Sequence, residues 1–146
     1  MLELAKAYDI CHVDKPKLTI VFLHGIAADS SSFDGLIKYL SKNNYYKDVR
    51  LVAFDWLGSG KSYTSDELNY DFKEQLGALH QSVAKLNAEK IVIVAHSMGT
   101  MLATRFADQY PELVQGLILI SAPVYLEEDI KNPMFKKAMD GFREVV

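Results

Sequence analysis

Four short runs rich in β-branched and aliphatic residues constrain the fold of this chain more than any other feature of its sequence. They occupy residues 18–23, 51–54, 91–95 and 117–120. A strand with one exposed face alternates apolar and polar residues, whereas a strand covered on both faces is almost continuously apolar. Each run is therefore predicted to form a strand that is buried on both faces.

The segments between these runs have the periodicity of helices. One apolar stripe comprises Phe72, Leu76, Leu79, Val83 and Leu86, and a partial second stripe comprises Met101, Leu102, Phe106 and Tyr110. The serines at positions 30–32 are predicted to cap a further helix, and Pro111 is predicted to end the helix that follows Ser97. Because strands that alternate with helices form parallel sheets, the sequence predicts an α/β fold with a mostly parallel sheet flanked by helices.

The sequence around Ser97 is the most informative about function. A predicted strand runs directly into His96-Ser97-Met98-Gly99 and then into a helix, which is the context of the nucleophile-elbow motif G-x-S-x-G. Ala95 stands at the first glycine of the motif and is nearly as small. Such a turn lifts the serine above the sheet edge, at a helix N-terminus that favours developing negative charge. Ser97 is the predicted nucleophile, and the alternative is that it only caps the helix.

The end of the first predicted strand supplies a second part of such a site. His24-Gly25-Ile26 follow this strand, and a glycine here lets a backbone amide turn toward the serine. The N–H groups of Ile26 and Met98 are the predicted donors of an oxyanion hole. We expect His24 and Gly25 to border the substrate, with His24 as a structural hydrogen-bonding residue rather than a base.

The stretch DWLGSGKS, residues 55–62, suggests a phosphate-binding loop through Gly60-Lys61-Ser62. The motif G-x-x-x-x-G-K-[ST] requires a glycine where this chain has Asp55, and it must lead directly into a helix. Neither condition is met, so nucleotide binding is the weaker hypothesis. A structural turn is the favoured interpretation, with Gly58 and Gly60 supplying unusual backbone conformations, Ser62 bonding locally and Lys61 solvated.

Four segments in order along the chain resemble the first half of an α/β-hydrolase fold enzyme. They are FLHGIAADSSSF, LVAFDWLGSGKSY, VAHSMGT and YPELVQGLILISAP, which together span about residues 18–123. They resemble the oxyanion segment, the D-x-x-G-x-G-x-S loop, the elbow and the strand before the cap of that family. The resemblance implies an α/β-hydrolase core over residues 1–123 and the start of a helical cap over residues 124–146.

The resemblance also implies an activity: a serine hydrolase that cleaves a small ester or related acyl substrate through an acyl-Ser97 intermediate, with no cofactor and no metal ion. It argues against dehalogenase and epoxide-hydrolase chemistry, which use an aspartate in place of Ser97. The family places its acid and histidine after the serine, whereas the four histidines here, at positions 12, 24, 80 and 96, all precede it. We therefore expect a chain truncated within the cap region and, by itself, inactive or weakly active.

Composition narrows the partners and leaves one alternative function. The formal net charge of −3 argues against nucleic acid and anionic lipid, and no apolar run is long enough to span a membrane. Cys11 is the single cysteine and cannot form an intrachain disulfide, which favours a cytoplasmic location. A truncated sheet would expose an edge along residues 117–120 and favour self-association. The alternative function is a catalytically silent binding or scaffold protein.

Overall fold

Five strands and three α-helices form the part of the chain that the computed structural model describes, residues 2–124 and 131–134. The strands are β1 (Ala5–Ile10), β2 (Leu18–Leu23), β3 (Val49–Asp55), β4 (Ile91–His96) and β5 (Val114–Ile120). The α-helices are α1 (Asp34–Lys42), α2 (Phe72–Ala84) and α3 (Met98–Gln109), and Ser30–Phe33 and Asn44–Tyr46 form 3-10 helices. Within these described ranges, no helix has both the length and the apolar character needed to cross a membrane.

The strands pair into one sheet with the order β1-β3-β2-β4-β5. β2 is parallel to β3 and to β4, β4 is parallel to β5, and β1 is antiparallel to β3. The predicted mostly parallel sheet is therefore confirmed. β3 and β5 begin earlier than their apolar runs, at Val49 and Val114, because these residues also pair with the neighbouring strands. Cys11 lies directly after β1.

Helices cover both faces of the sheet. On one face, α2 and α3 pack Leu79 and Phe106 into the larger cluster of buried residues. On the other face, Ile37 of α1 packs into a smaller cluster with Phe22. The stripe predicted for α2 is confirmed, but Met101 is exposed. Successive residues on a helix are about 100° apart, so Met101 faces away from the core that its neighbour enters.

The entry into α1 differs from the prediction. The serines at positions 30–32 do not cap the helix, because they form the 3-10 helix Ser30–Phe33 that precedes it. The cap of that segment is Asp29, whose carboxylate accepts a hydrogen bond of 2.8 Å from the Ser31 N–H. An aspartate at this position is a strong capping acceptor, and the serines then supply backbone donors instead of side-chain acceptors.

β5 lies at the border of the described sheet and is less buried than predicted. Ile118, Leu119 and Ile120 are 52%, 40% and 40% exposed, so burial on both faces is wrong for this strand. Among the described residues β5 has a strand neighbour on one side only, β4. Pairing of its other edge with a second chain stays a prediction. Most of the predicted cap, residues 125–130 and 135–146, lies outside the described residues.

Candidate active site

Ser97 occupies a sharp turn between β4 and α3, as the elbow motif predicts. Its backbone has φ 51° and ψ −122°, a region that non-glycine residues adopt only under constraint. The constraint includes a hydrogen bond of 2.9 Å from the Ser97 N–H to the carbonyl of Ile120. Ser97 is the N-cap residue of α3, but its side chain makes no capping hydrogen bond. Among the described residues, its hydroxyl has no hydrogen-bond partner.

Two glycines make this turn sterically possible. A Cβ at Gly99 would lie 2.5 Å from the carbonyl oxygen of His24 and 2.7 Å from that of Leu23. A Cβ at Gly25 would lie 3.0 Å from the Cβ of Ser97. The N-terminus of α3 therefore packs directly against the backbone that follows β2. Ala95, the departure from the motif, is fully buried and fits because its side chain is a single methyl group.

A cavity of about 360 Å³ opens beside Ser97. The predicted site residues Gly25 and Ile26 line it together with Ser97, and its remaining wall is largely apolar. That wall includes Phe33, Leu36 and Ile120. Met98 instead borders a neighbouring cavity of about 660 Å³, which shares Gly25 and Ile26 with the first. The segment at Gly25 and Ile26 thus lies between two cavities, one bordered by Ser97 and the other by Met98.

The two predicted donors, the N–H groups of Ile26 and Met98, are unpaired within residues 2–124 and 131–134. Met98 is the first residue of α3, where backbone N–H groups have no acceptor within the helix. The positive end of the dipole of this 12-residue helix lies at the same point. The region beside Ser97 is therefore suited to an anionic oxygen.

His24 is buried and fixed in one tautomer. Its Nε2 accepts a 3.1 Å hydrogen bond from the Trp56 N–H, so its Nδ1 carries the proton and donates to the Gly25 carbonyl at 2.7 Å. Burial lowers the pKa of His24, which keeps the ring neutral. Both ring nitrogens are engaged within the protein, in agreement with the predicted structural role. Contact between His24 and a substrate stays a prediction.

The other three histidines have different surroundings. His80 stacks on Tyr110 with ring centroids 4.2 Å apart, and His12 is exposed. His96, in contrast, lies beside the turn at Ser97. Its Nδ1 lies 3.2 Å from the Cβ position of Gly25, and it borders the same cavity as Ser97. The sequence motif identified the turn but not the side of it on which this ring lies.

The loop formed by residues 55–62 folds around the carboxylate of Asp55. Gly58 and Gly60 have φ values of 80° and 50°, as predicted for a structural turn. Asp55 is buried, and its Oδ2 accepts a 2.9 Å hydrogen bond from the Lys61 N–H. This amide is therefore unavailable to a phosphate. The bonds of Ser62 are less local than predicted, because its hydroxyl also accepts from the Ala5 N–H of β1 at 2.7 Å.

Replacement of Lys61 by alanine should be tolerated, because its backbone N–H, rather than its exposed side chain, holds the loop. We expect Lys61→Ala to change the free energy of unfolding by less than about 0.5 kcal/mol, measured by urea denaturation. Gly60→Ala is the contrasting variant, since its Cβ would lie 2.2 Å from the Asp55 Oδ2. A large loss of stability in Lys61→Ala would show that its side chain has a structural role.

Comparison with known proteins identifies the family. Residues 19–146 match the family model described as the alpha/beta hydrolase fold. The chain belongs to the α/β-hydrolase fold family. Membership confirms the resemblance noted from four sequence segments. It also accounts for the mostly parallel sheet and for a strained serine at the carboxyl end of a central strand.

Three α/β-hydrolase relatives illustrate the range of similarity. "Serine hydrolase-like protein" from Homo sapiens is 34% identical over 110 residues, covering 75% of this chain and 52% of that protein. "Probable lysophospholipase BODYGUARD 4" from Arabidopsis thaliana is 26% identical over 132 residues, covering 87% of this chain and 31% of that protein. The ancestral haloalkane dehalogenase AncHLD2 has a TM-score of 0.75 and 26% identity, covering 96% of this chain and 47% of its own. The chain thus spans about half the length, or less, of these relatives.

Proposed function

We propose that this α/β-hydrolase fold chain carries the nucleophile and the oxyanion hole of a serine hydrolase acting on a small ester or related acyl substrate. The observation that carries the proposal is the state of Ser97. Its backbone is held at φ 51°, its hydroxyl has no partner among the described residues, and it borders a cavity. Strain of this kind is retained where it serves a site. In the proposed role, it presents the Oγ to a bound acyl group.

The proposed reaction has two steps. The Ser97 Oγ attacks the carbonyl carbon, the bond to the leaving alcohol breaks, and the serine proton passes through a base to that alcohol. Water then attacks the acyl-Ser97 ester, which releases the carboxylic acid and restores the hydroxyl. In each step the carbonyl oxygen becomes an oxyanion, and the N–H groups of Ile26 and Met98 are its proposed donors. A donor of this type contributes about 3 kcal/mol to the transition state.

The substrate class follows from the cavity wall and the nucleophile. Phe33, Leu36 and Ile120 form an apolar surface beside Ser97, which suits the hydrocarbon part of a small acyl substrate. The name of the human relative supports hydrolysis by a serine. The name of the Arabidopsis relative supports a lipid ester as the substrate. In the family, dehalogenases use an aspartate carboxylate at the position of Ser97, so the likeness to AncHLD2 is assigned to the fold.

The free Cys11 thiol supports a cytoplasmic location for the proposed hydrolase.

A catalytically silent binding protein is the second candidate function. No histidine follows Ser97 in the 146 residues, and His24, which precedes it, has both ring nitrogens engaged. The proposed enzyme needs a base and an acid to orient it, which the family resemblance places after the serine. A silent protein would keep the fold and the cavity but would not activate Ser97. The two candidates therefore differ in the reactivity of one hydroxyl group.

Labelling with a fluorophosphonate probe separates the two candidates. The probe reacts with an activated serine, whose Oγ bonds to phosphorus as fluoride leaves. We expect the full-length protein to form one adduct, located at Ser97 by peptide mass spectrometry. A full-length protein that stays unlabelled at Ser97 would reject the hydrolase and favour the silent binding protein.

A further inference from the structure

Residues 24–30, here called the oxyanion loop, carry the Ile26 N–H. This loop contains an unfavourable backbone conformation and must be held in place by other parts of the chain. Ala27 has φ 52°, a left-handed conformation that costs a residue with a side chain about 1 kcal/mol or more. Gly25 is so close to Ser97 that a Cβ on it would lie 3.0 Å from the Ser97 Cβ. A small displacement of this loop would therefore change the distance between Ile26 and any oxygen bound at Ser97.

The first end of the oxyanion loop is held by Trp56. The Trp56 backbone N–H donates to the Nε2 of His24 at 3.1 Å, and its indole Nε1–H donates to the His24 carbonyl at 2.9 Å. Both residues are 1% exposed, so water does not compete for these bonds. These bonds therefore fix the His24 carbonyl, which belongs to the peptide bond between His24 and Gly25.

The second end of the oxyanion loop is held by Asp55. Its Oδ1 accepts a 2.8 Å hydrogen bond from the Ser30 N–H, and its Oδ2 accepts from the Lys61 N–H. Asp55 is 2% exposed, so water does not compete for these bonds. The glycine at position 60 leaves space for the carboxylate, because a Cβ there would lie 2.2 Å from Oδ2.

We propose that Asp55 and Trp56 are positioning residues that hold the oxyanion loop so that the Ile26 N–H faces the oxygen bound at Ser97. Asp55 is the last residue of β3 and Trp56 follows it directly, so two consecutive residues at the end of one strand hold the two ends of the loop. Asp55 borders neither cavity beside the loop, so it acts through the backbone rather than on the substrate. Trp56 borders the cavity of about 660 Å³, so its role is judged from the covalent step and not from probe binding. This inference rests on the hydrolase function proposed above.

The test measures the rate at which the full-length protein reacts with the fluorophosphonate probe, separated into probe binding and the covalent step. Asp55→Asn keeps the shape but replaces one acceptor oxygen with a donor, and Trp56→Phe removes the indole N–H while keeping an aromatic ring. Loss of one oxyanion donor typically slows a serine enzyme by about 10²–10³-fold. For a displaced donor we expect each variant to slow the covalent step by roughly tenfold or more, with probe binding nearly unchanged.

The matched control is Ser82→Ala, which removes a buried hydrogen-bonding side chain that makes no hydrogen bond to the oxyanion loop. The Ser82 hydroxyl donates to the Ala78 carbonyl at 2.8 Å and accepts from the Leu4 N–H at 2.8 Å. This variant should lower the melting temperature as the test variants do, without slowing the covalent step. If Asp55→Asn does not fold, Trp56→Phe decides the question by itself.

The outcomes separate this inference from the proposed function. Folded Asp55→Asn and Trp56→Phe proteins that react at the wild-type rate would overturn the positioning role while leaving Ser97 as the nucleophile. Equal slowing in Ser82→Ala would also overturn it, because the effect would then follow general stability. A wild-type protein that forms no adduct at Ser97 would overturn both proposals together.

Discussion

Replacement of Ser97 by alanine is expected to abolish esterase activity of the full-length protein. Loss of the nucleophile in a serine protease lowers kcat by roughly 10⁶-fold, and only the residual effect of the oxyanion hole and substrate binding remains. Ser97 has no hydrogen-bond partner for its hydroxyl among the described residues, so its removal leaves no buried polar group unsatisfied. The expected result is therefore a loss of hydrolysis of p-nitrophenyl acetate without a change in melting temperature.

The control for this experiment is Ser32→Ala. Ser32 borders the same cavity and is exposed, so it tests whether any serine near the cavity supports hydrolysis. We expect this variant to hydrolyse the ester at nearly the wild-type rate. Retention of activity in Ser97→Ala, measured on protein free of contaminating esterases, would contradict the assignment of the nucleophile.

Replacement of Gly99 by alanine is expected to destabilise the protein strongly. The added Cβ would lie 2.5 Å from the His24 carbonyl oxygen and 2.7 Å from the Leu23 carbonyl oxygen. Both contacts are with backbone atoms, which cannot rotate away as a flexible side chain can. Overpacking of a filled interior costs about 1–3 kcal/mol, and we expect a loss near 3 kcal/mol here. Labelling of Ser97 should fall as well, because relief of the contact moves α3 away from the oxyanion loop.

Gly77→Ala is the matched control for the same chemical change. Gly77 lies within α2, and a Cβ there would meet nothing within 4 Å. Alanine is the better helix former, so this variant should be more stable than the wild type by about 0.5–1 kcal/mol. Urea denaturation of the two variants measures both effects. Equal stability of Gly99→Ala and the wild type would show that the turn relaxes more easily than its contacts indicate.

The parts of the fold that follow from local patterns were predictable from the sequence. Continuous apolar runs predicted the four parallel strands, and the spacing of Leu76, Leu79 and Val83 predicted the buried side of α2. The elbow was predictable because few arrangements other than a strand, a small-residue turn and a helix fit the residues around Ser97. These features depend on neighbours in the chain, which the sequence displays directly.

The features that were missed depend on contacts between distant segments. An apolar run such as residues 117–120 indicates a strand but not its place in the sheet, so the exposure of β5 was not predictable from it. The hydrogen bond between Ser30 and Asp55 joins residues 25 apart in sequence. The local pattern of residues 55–62 does not indicate that the Asp55 carboxylate also accepts from Ser30.

The hydrogen bond from the Ser97 N–H to the Ile120 carbonyl connects the turn at Ser97 to the last residue of β5. β5 pairs with β4 as far as His96, which lies opposite Ile120. The strained backbone of Ser97 is therefore fixed by the register of these two strands, and a slip of β5 along β4 would release the strain and displace the Oγ.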